Sequence, residues 1–202
     1  MEKGRKQIKI AVTGGIGSGK STVCEIISAL GYSVFSCDKI NSEIRESADY
    51  VEKISAAFPS AVEYGCVNRK ILASIVFNNP TALKKLNAIT HPLIMKELIM
   101  QMDSCEDRLV FSEVPLLFEG GYQDIFDKII IVSRCEQDRI LAVQLRDGLS
   151  EEEIKSRIKN QIDYSKIYNY IKEGDSSKVH ILTNSDSLSD LKQKTIELIK
   201  NF

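Results

Sequence analysis

The string Gly14-Gly15-Ile16-Gly17-Ser18-Gly19-Lys20-Ser21-Thr22 satisfies G-x-x-x-x-G-K-[ST] and dictates the local architecture around it. Before it stands Ile8–Thr13 (IKIAVT), a short β-branched apolar run of strand character. After it, residues 20–30 place apolar side chains at Val23, Ile26, Ile27 and Leu30, a helical period that Gly31 closes. Strand, glycine loop and helix in that order make a phosphate-binding turn. Glycines let the backbone curl with its N–H groups inward, and the helix N-terminus adds the positive end of its dipole. Residues Gly17, Ser18, Gly19, Lys20, Ser21 and Thr22 are the candidate grip on a triphosphate. Lys20 would reach the β- and γ-phosphates, and the Ser21 hydroxyl would ligate Mg²⁺. A tight strand-to-helix turn without a ligand is the plainer alternative.

The rest of the chain repeats the alternation. Residues 33–37 (SVFSC), 109–114 (LVFSEV), 128–132 (KIIIV) and 179–182 (VHIL) read as further strands, with helical segments at 136–146 and 187–200. This predicts an α/β fold, a P-loop NTPase-type parallel sheet with helices on both faces and its ligands along the strand C-terminal edge. Two stretches interrupt it. Residues 41–101 carry little strand signal. They hold Asn68 as an N-cap for a helix over 69–77, then a long helix over 81–102 that Pro92 is expected to interrupt or kink. Residues 149–173 are polar and helical and open on a Ser150/Glu153 capping box.

Composition narrows the function class. Twenty-seven Lys+Arg against 28 Asp+Glu exclude a broadly basic nucleic-acid binder. The five cysteines, Cys24, Cys37, Cys66, Cys105 and Cys135, are odd in number and form no CxxC, which reads as reduced thiols in a cytoplasmic protein. Two histidines, His91 and His180, leave little for a His-based metal centre. No run approaches the roughly 18 apolar residues of a membrane span, and the N-terminal residues lack the apolar core of a signal peptide. No N-K-x-D base-reading motif is present: Asn184-Ser185-Asp186 lacks the lysine. A kinase of small phosphate acceptors is therefore favoured over a GTPase.

Longer strings narrow this further. VTGGIGSGKSTV resembles the N-terminal segment of the dephospho-CoA kinase family. In order after it, Leu86-Asn87 with His91-Pro92-Leu93-Ile94 resembles the family's LN…HPLI signature. Val114-Pro115-Leu116-Leu117-Phe118-Glu119 resembles its VPLLFE segment, Arg146-Asp147-Gly148-Leu149-Ser150 its RDGLS, and Arg157-Ile158 with Gln161 its RI..Q. The resemblance spans most of the chain. It implies a nucleotide core at 1–40, 103–148 and 174–202, a helical CoA-substrate insertion at 41–102 and a lid at 149–173. It implies ATP and Mg²⁺ as cofactors, dephospho-CoA as the small-molecule partner, no nucleic acid and no membrane, and a monomer or weak homo-oligomer. Phosphate would pass to the 3′-hydroxyl of the dephospho-CoA ribose. A kinase of a nucleoside monophosphate or other small alcohol, and a non-catalytic ATP-binding regulatory module, are the alternatives.

Asp38 ends the second strand. A carboxylate there can accept the proton of an attacking hydroxyl, or cap a helix over 39–46. The resemblance makes it the catalytic base, and makes Arg146 an arginine that neutralises the transferring phosphoryl group. Arg157, on the lid helix, is otherwise a member of a solvated charge run. His91 would belong to the wall of the CoA domain, and Glu119 would be an exposed loop acid or approach the acceptor. The sequence departs from the family pattern at Ser36, where the first acid of a D-x-D pair is usual. It also departs at Ser42, where a basic residue is usual and Arg45 lies on the same helix face, and at Ala142, where an arginine is usual and Arg139 lies a turn earlier. Residues 161–184, with Tyr164, Tyr168 and Tyr170, are longer than in typical members.

Overall fold

The computed structural model describes residues 6–77, 79–164, 167 and 177–202. They form two compact units, residues 1–35 with 105–202, and residues 36–104.

The first unit carries the sheet. Its strands are β1 (Ile8–Thr13), β2 (Ser33–Ser36, which runs one residue into the second unit), β5 (Leu109–Glu113), β6 (Lys128–Ser133) and β7 (Val179–Thr183), in the order β2-β5-β1-β6-β7. β1 pairs in parallel with β5 and β6, and β6 in parallel with β7. The three central strands are buried in continuous runs, because helices cover both faces. Ile10, Val12, Phe111, Ile130 and Val132 share one core with Val23 and Ile27 of α1 (Lys20–Ala29). The last helix, Leu188–Ile199, adds Leu191 and Ile199 and starts on a Ser187/Asp190 capping box. The expected parallel α/β sheet is what is found. Helices α6 (Glu136–Asp147) and α7 (Glu151–Lys159) build a separate small core of Ile140, Val143 and Ile154, and Ser150/Glu153 forms the expected capping box. The last helix, following α7 among the described elements, is α8.

The second unit is mostly helical: α2 (Cys37–Ile44), α3 (Ala48–Ala57), α4 (Arg69–Val76) and α5 (Pro80–Asp103). Tyr50, Ile54, Phe58, Ala61 and Leu72 are its core, with Leu86, Ile89 and Leu93 of α5 packed on them. Asn68 caps α4 by accepting from the amides of Lys70 and Ile71. Of the expected interruption or kink at Pro92, the interruption is not found: α5 runs unbroken through the proline. A proline inside a helix removes one ladder bond, at about 3 kcal/mol. Thr90, Ile94, Met95, Leu98 and Met102 are buried along this helix and hold it through that loss. The unit also contains a small hairpin, β3 (Val62–Glu63) with β4 (Cys66–Val67), in the stretch that reads as strand-poor. Its turn needs two left-handed residues, and Tyr64 (φ 52°) and Gly65 (φ 77°) supply them.

Candidate phosphoryl-transfer site

Helix α1 opens differently from most of its neighbours. Ser36, Ser47, Asn68, Asn79, Ser150 and Ser187 each cap a helix with a side-chain oxygen. The residue before α1 is Gly19, in the left-handed region at φ 98°, and no side chain caps the helix. A helix start without a side-chain cap, behind a glycine loop, favours an anion there. Gly17 is also left-handed, at φ 75°, and a side chain there would meet the Arg139 carbonyl at 2.5 Å. The loop shape therefore requires the glycine.

Lys20 donates from Nζ to the carbonyls of Gly14 and Gly15, at 2.9 and 3.0 Å. The ammonium is thus held across the glycine loop. Ser21 Oγ donates to Glu113 Oε1 at 2.9 Å. Glu113 ends β5, beside Val12 of β1, so the sheet register sets this acid against the first turn of α1. The sequence reading missed Glu113, because only strand pairing brings it to Ser21.

The loop is braced from outside by three further residues. Asn184 Nδ2 donates to the Ser18 carbonyl at 2.9 Å. The string that fails as a base-reading motif thus serves the loop. Arg139 Nε donates to the Ile16 carbonyl at 2.9 Å, and Gln161 Oε1 accepts from the Ile16 amide at 2.8 Å. Arg139 is therefore engaged with the loop backbone.

Arg146 lies in the last turn of α6, which ends at Asp147 before Gly148, and forms a bidentate pair with Asp147, both bonds 2.8 Å. That pair raises its pKa, and the Glu113 charge adds to the effect. The pair is exposed to solvent and weak, so phosphate oxygens can compete for the guanidinium. The Asp147 carboxyl is held low first by its bond to Arg146, with the Arg157 charge adding to it. Glu119 does not stand idle: its Oε1 accepts from the Ile162 amide at 3.1 Å. Tyr164 lies with its hydroxyl 3.4 Å from Thr13 Oγ1, and burial pushes its pKa up to about 12. Tyr168 and Tyr170 lie outside the described residues.

In the second unit, Asp38 is exposed in the first turn of α2. It does not cap that helix, contrary to the capping alternative. The helix starts at Cys37, two residues earlier than expected, and Ser36 is the cap, accepting from the Lys39 amide. The Asp38 carboxylate makes no hydrogen bond or ion pair among the described residues. Ser42 bonds its backbone carbonyl instead, at 3.1 Å. The Arg45 charge acts on Tyr50. His91 is held below the ordinary histidine range by burial, and His180 lies against the Phe202 ring.

Residues 8–174 match the family described as dephospho-CoA kinase. A dephospho-CoA kinase of Thermus thermophilus is 36% identical over 186 residues, 92% of this chain and 87% of that protein. The chain belongs to the dephospho-CoA kinase family. A Thermus thermophilus protein of known structure superposes with a TM-score of 0.80 at 33% identity, covering 98% of this chain and 99% of that one. The dephospho-CoA kinase of Campylobacter jejuni does so at 0.66 and 34%, covering 96% of each. Membership in the dephospho-CoA kinase family makes this chain a transferase that uses ATP. No helix among the described residues is long and apolar enough to cross a membrane.

Proposed function

We propose that this chain transfers the γ-phosphate of ATP to the 3′-hydroxyl of the dephospho-CoA ribose, giving coenzyme A and ADP. The observation that carries it is the uncapped start of α1, with Lys20 across the loop and Ser21 bonded to Glu113, in a member of this family. The ribose oxygen bonds to the γ-phosphorus as the bond to the β–γ bridging oxygen breaks. The hydroxyl proton passes to the Asp38 carboxylate, and ADP leaves. The amides of residues 17–22 hold the triphosphate, Lys20 exchanges its two carbonyl partners for phosphate oxygens, and Arg146 offsets the charge on the moving group. Positioning and electrostatics supply most of the rate, since this reaction asks little covalent work of a protein. Residues 41–102 would hold the CoA precursor and 149–173 would form the lid; residues 165–166 and 168–173 lie outside the described residues.

The donor set suits Mg²⁺. A serine hydroxyl and a carboxylate are hard oxygens, and no cluster of three His, Cys, Asp or Glu able to hold a metal occurs among the described residues. Mg²⁺ is commonly held by one or two protein oxygens, with phosphates and water completing its shell. Ser21 would be the ligand and Glu113 its orienting partner; the ion, when bound, would neutralise phosphate charge. Glu113→Gln keeps the shape and removes the charge. It should raise the Mg²⁺ concentration for half-maximal turnover by about tenfold, which titration at fixed ATP would reveal. An unchanged Mg²⁺ requirement would remove Glu113 from this role.

The activity itself is tested by incubation with ATP, Mg²⁺ and dephospho-CoA, with mass detection of the added phosphate. Addition to dephospho-CoA in preference to AMP, shikimate or gluconate is expected. Preference for one of those alcohols would favour the alternative acceptor, and nucleotide binding without product would favour a regulatory module.

A further inference from the structure

We propose that Gln161 is a positioning residue that fixes the phosphate loop through Ile16, tying the α6–α7 pair to nucleotide affinity. This rests on the kinase reading only in assigning the amides of residues 17–22 to the triphosphate.

Ile16 is gripped in three ways. Its amide donates to Gln161 Oε1 at 2.8 Å, and its carbonyl accepts from Arg139 Nε at 2.9 Å. Its side chain packs on the Ile140, Val143 and Ile154 core that α6 and α7 share. The two polar grips are themselves joined, since an Arg139 terminal nitrogen lies 3.5 Å from Gln161 Oε1. The glycines on either side explain why such a grip is needed. Gly15 and Gly17 carry no side chain to bias the flanking peptide planes, and Gly17 already sits at φ 75°. The Gly15 carbonyl accepts from the Ser18 amide at 3.2 Å and from Lys20 Nζ. The Gly15–Ile16 peptide is therefore pinned at both ends, its N–H outward to Gln161 and its C=O to the loop.

The segment that carries Gln161 is itself seated. Ile162 donates to Glu119 at 3.1 Å, and Tyr164 reaches Thr13 with its ring edge-on to Phe118, centroids 6.3 Å apart. The residues that follow α7 thus hold the loop in one shape. With Gln161 in place, the loop is preorganised and the nucleotide does not have to order it on binding.

Gln161→Leu removes the acceptor at similar volume. It should weaken binding of a non-hydrolysable ATP analogue by about five- to tenfold, the effect of losing one part-buried hydrogen bond. Gln161→Glu keeps an acceptor oxygen facing both Ile16 and Arg139, and should bind within about twofold of wild type. Combining Gln161→Leu with Arg139→Ala should cost less than the two losses together, because both act on Ile16. Equal loss in the Leu and Glu variants, or wild-type affinity in the Leu variant after a mere drop in melting temperature, would overturn the proposal. If the variants fail to fold, hydrogen exchange in the wild-type protein decides: a protected Ile16 amide supports the bond, and a fast-exchanging one refutes it. The titration needs no acceptor, so an error in the identity of the phosphorylated alcohol would leave its outcome untouched.

Discussion

Asp38→Asn is expected to lower kcat by about 10²- to 10⁴-fold while leaving the fold intact, the range for removing a positioned general base. The structure separates chemistry from stability here. Ser36 is the cap of α2, so the substitution leaves the helix start as it is. The carboxylate is exposed and has no hydrogen-bond or ion-pair partner among the described residues, so its loss leaves no buried group stranded. What remains is an acid in the first helical turn, worth about 0.3–1 kcal/mol against the dipole. Single-turnover measurement of phosphate transfer, beside thermal melting of both proteins, checks the separation. Turnover within about threefold of wild type would remove Asp38 from proton transfer. A melting loss matching the activity loss would make it a structural acid instead.

The parts legible in the sequence were those whose cause is local. The glycine loop could be read because its backbone demands glycine, as φ 75° at Gly17 and φ 98° at Gly19 bear out. The central strands could be read because burial on both faces leaves continuous apolar runs such as KIIIVS. The hairpin at 62–67 could not, because Tyr64 takes the left-handed position where Asn would announce the turn. Pro92 does not end α5, since propensity speaks for an isolated helix while α5 is held by its buried face. The cap of α2 was missed by the same kind of local ambiguity: Ser36 and Asp38 are both good capping residues, and only the position of the first turn chooses between them. The residues that shape the loop were hidden for another reason. Glu113, Gln161 and Asn184 stand 92, 145 and 166 positions from their partners Ser21, Ile16 and Ser18. No periodicity or spacing connects such pairs; strand order and helix packing do.

Lys20→Ala should reduce phosphate transfer by at least about 10³-fold and abolish the thermal stabilisation that ATP confers. Without nucleotide, the Lys20 ammonium donates to the Gly14 and Gly15 carbonyls, two neutral acceptors. Phosphate oxygens are charged acceptors, so an ammonium bound to them keeps its charge-assisted hydrogen bonds and gains an ion pair that the carbonyls do not offer. The exchange therefore runs toward the nucleotide, and the lysine can leave its carbonyls without moving the loop, which Asn184, Arg139 and Gln161 hold separately. The nucleotide-free variant should lose little stability, because the two carbonyls lie in a part-buried loop where water can replace the ammonium. At ATP a hundredfold above its Kd, linkage stabilises the wild-type protein by about 2.7 kcal/mol. The variant should melt at nearly the same temperature with or without ATP. A melting shift as large as the wild type's would show that the amides of residues 17–22 bind the triphosphate unaided, leaving Lys20 a role in transfer alone. Transfer at wild-type rate would remove the lysine from the reaction, and with it the assignment of this loop to the γ-phosphate.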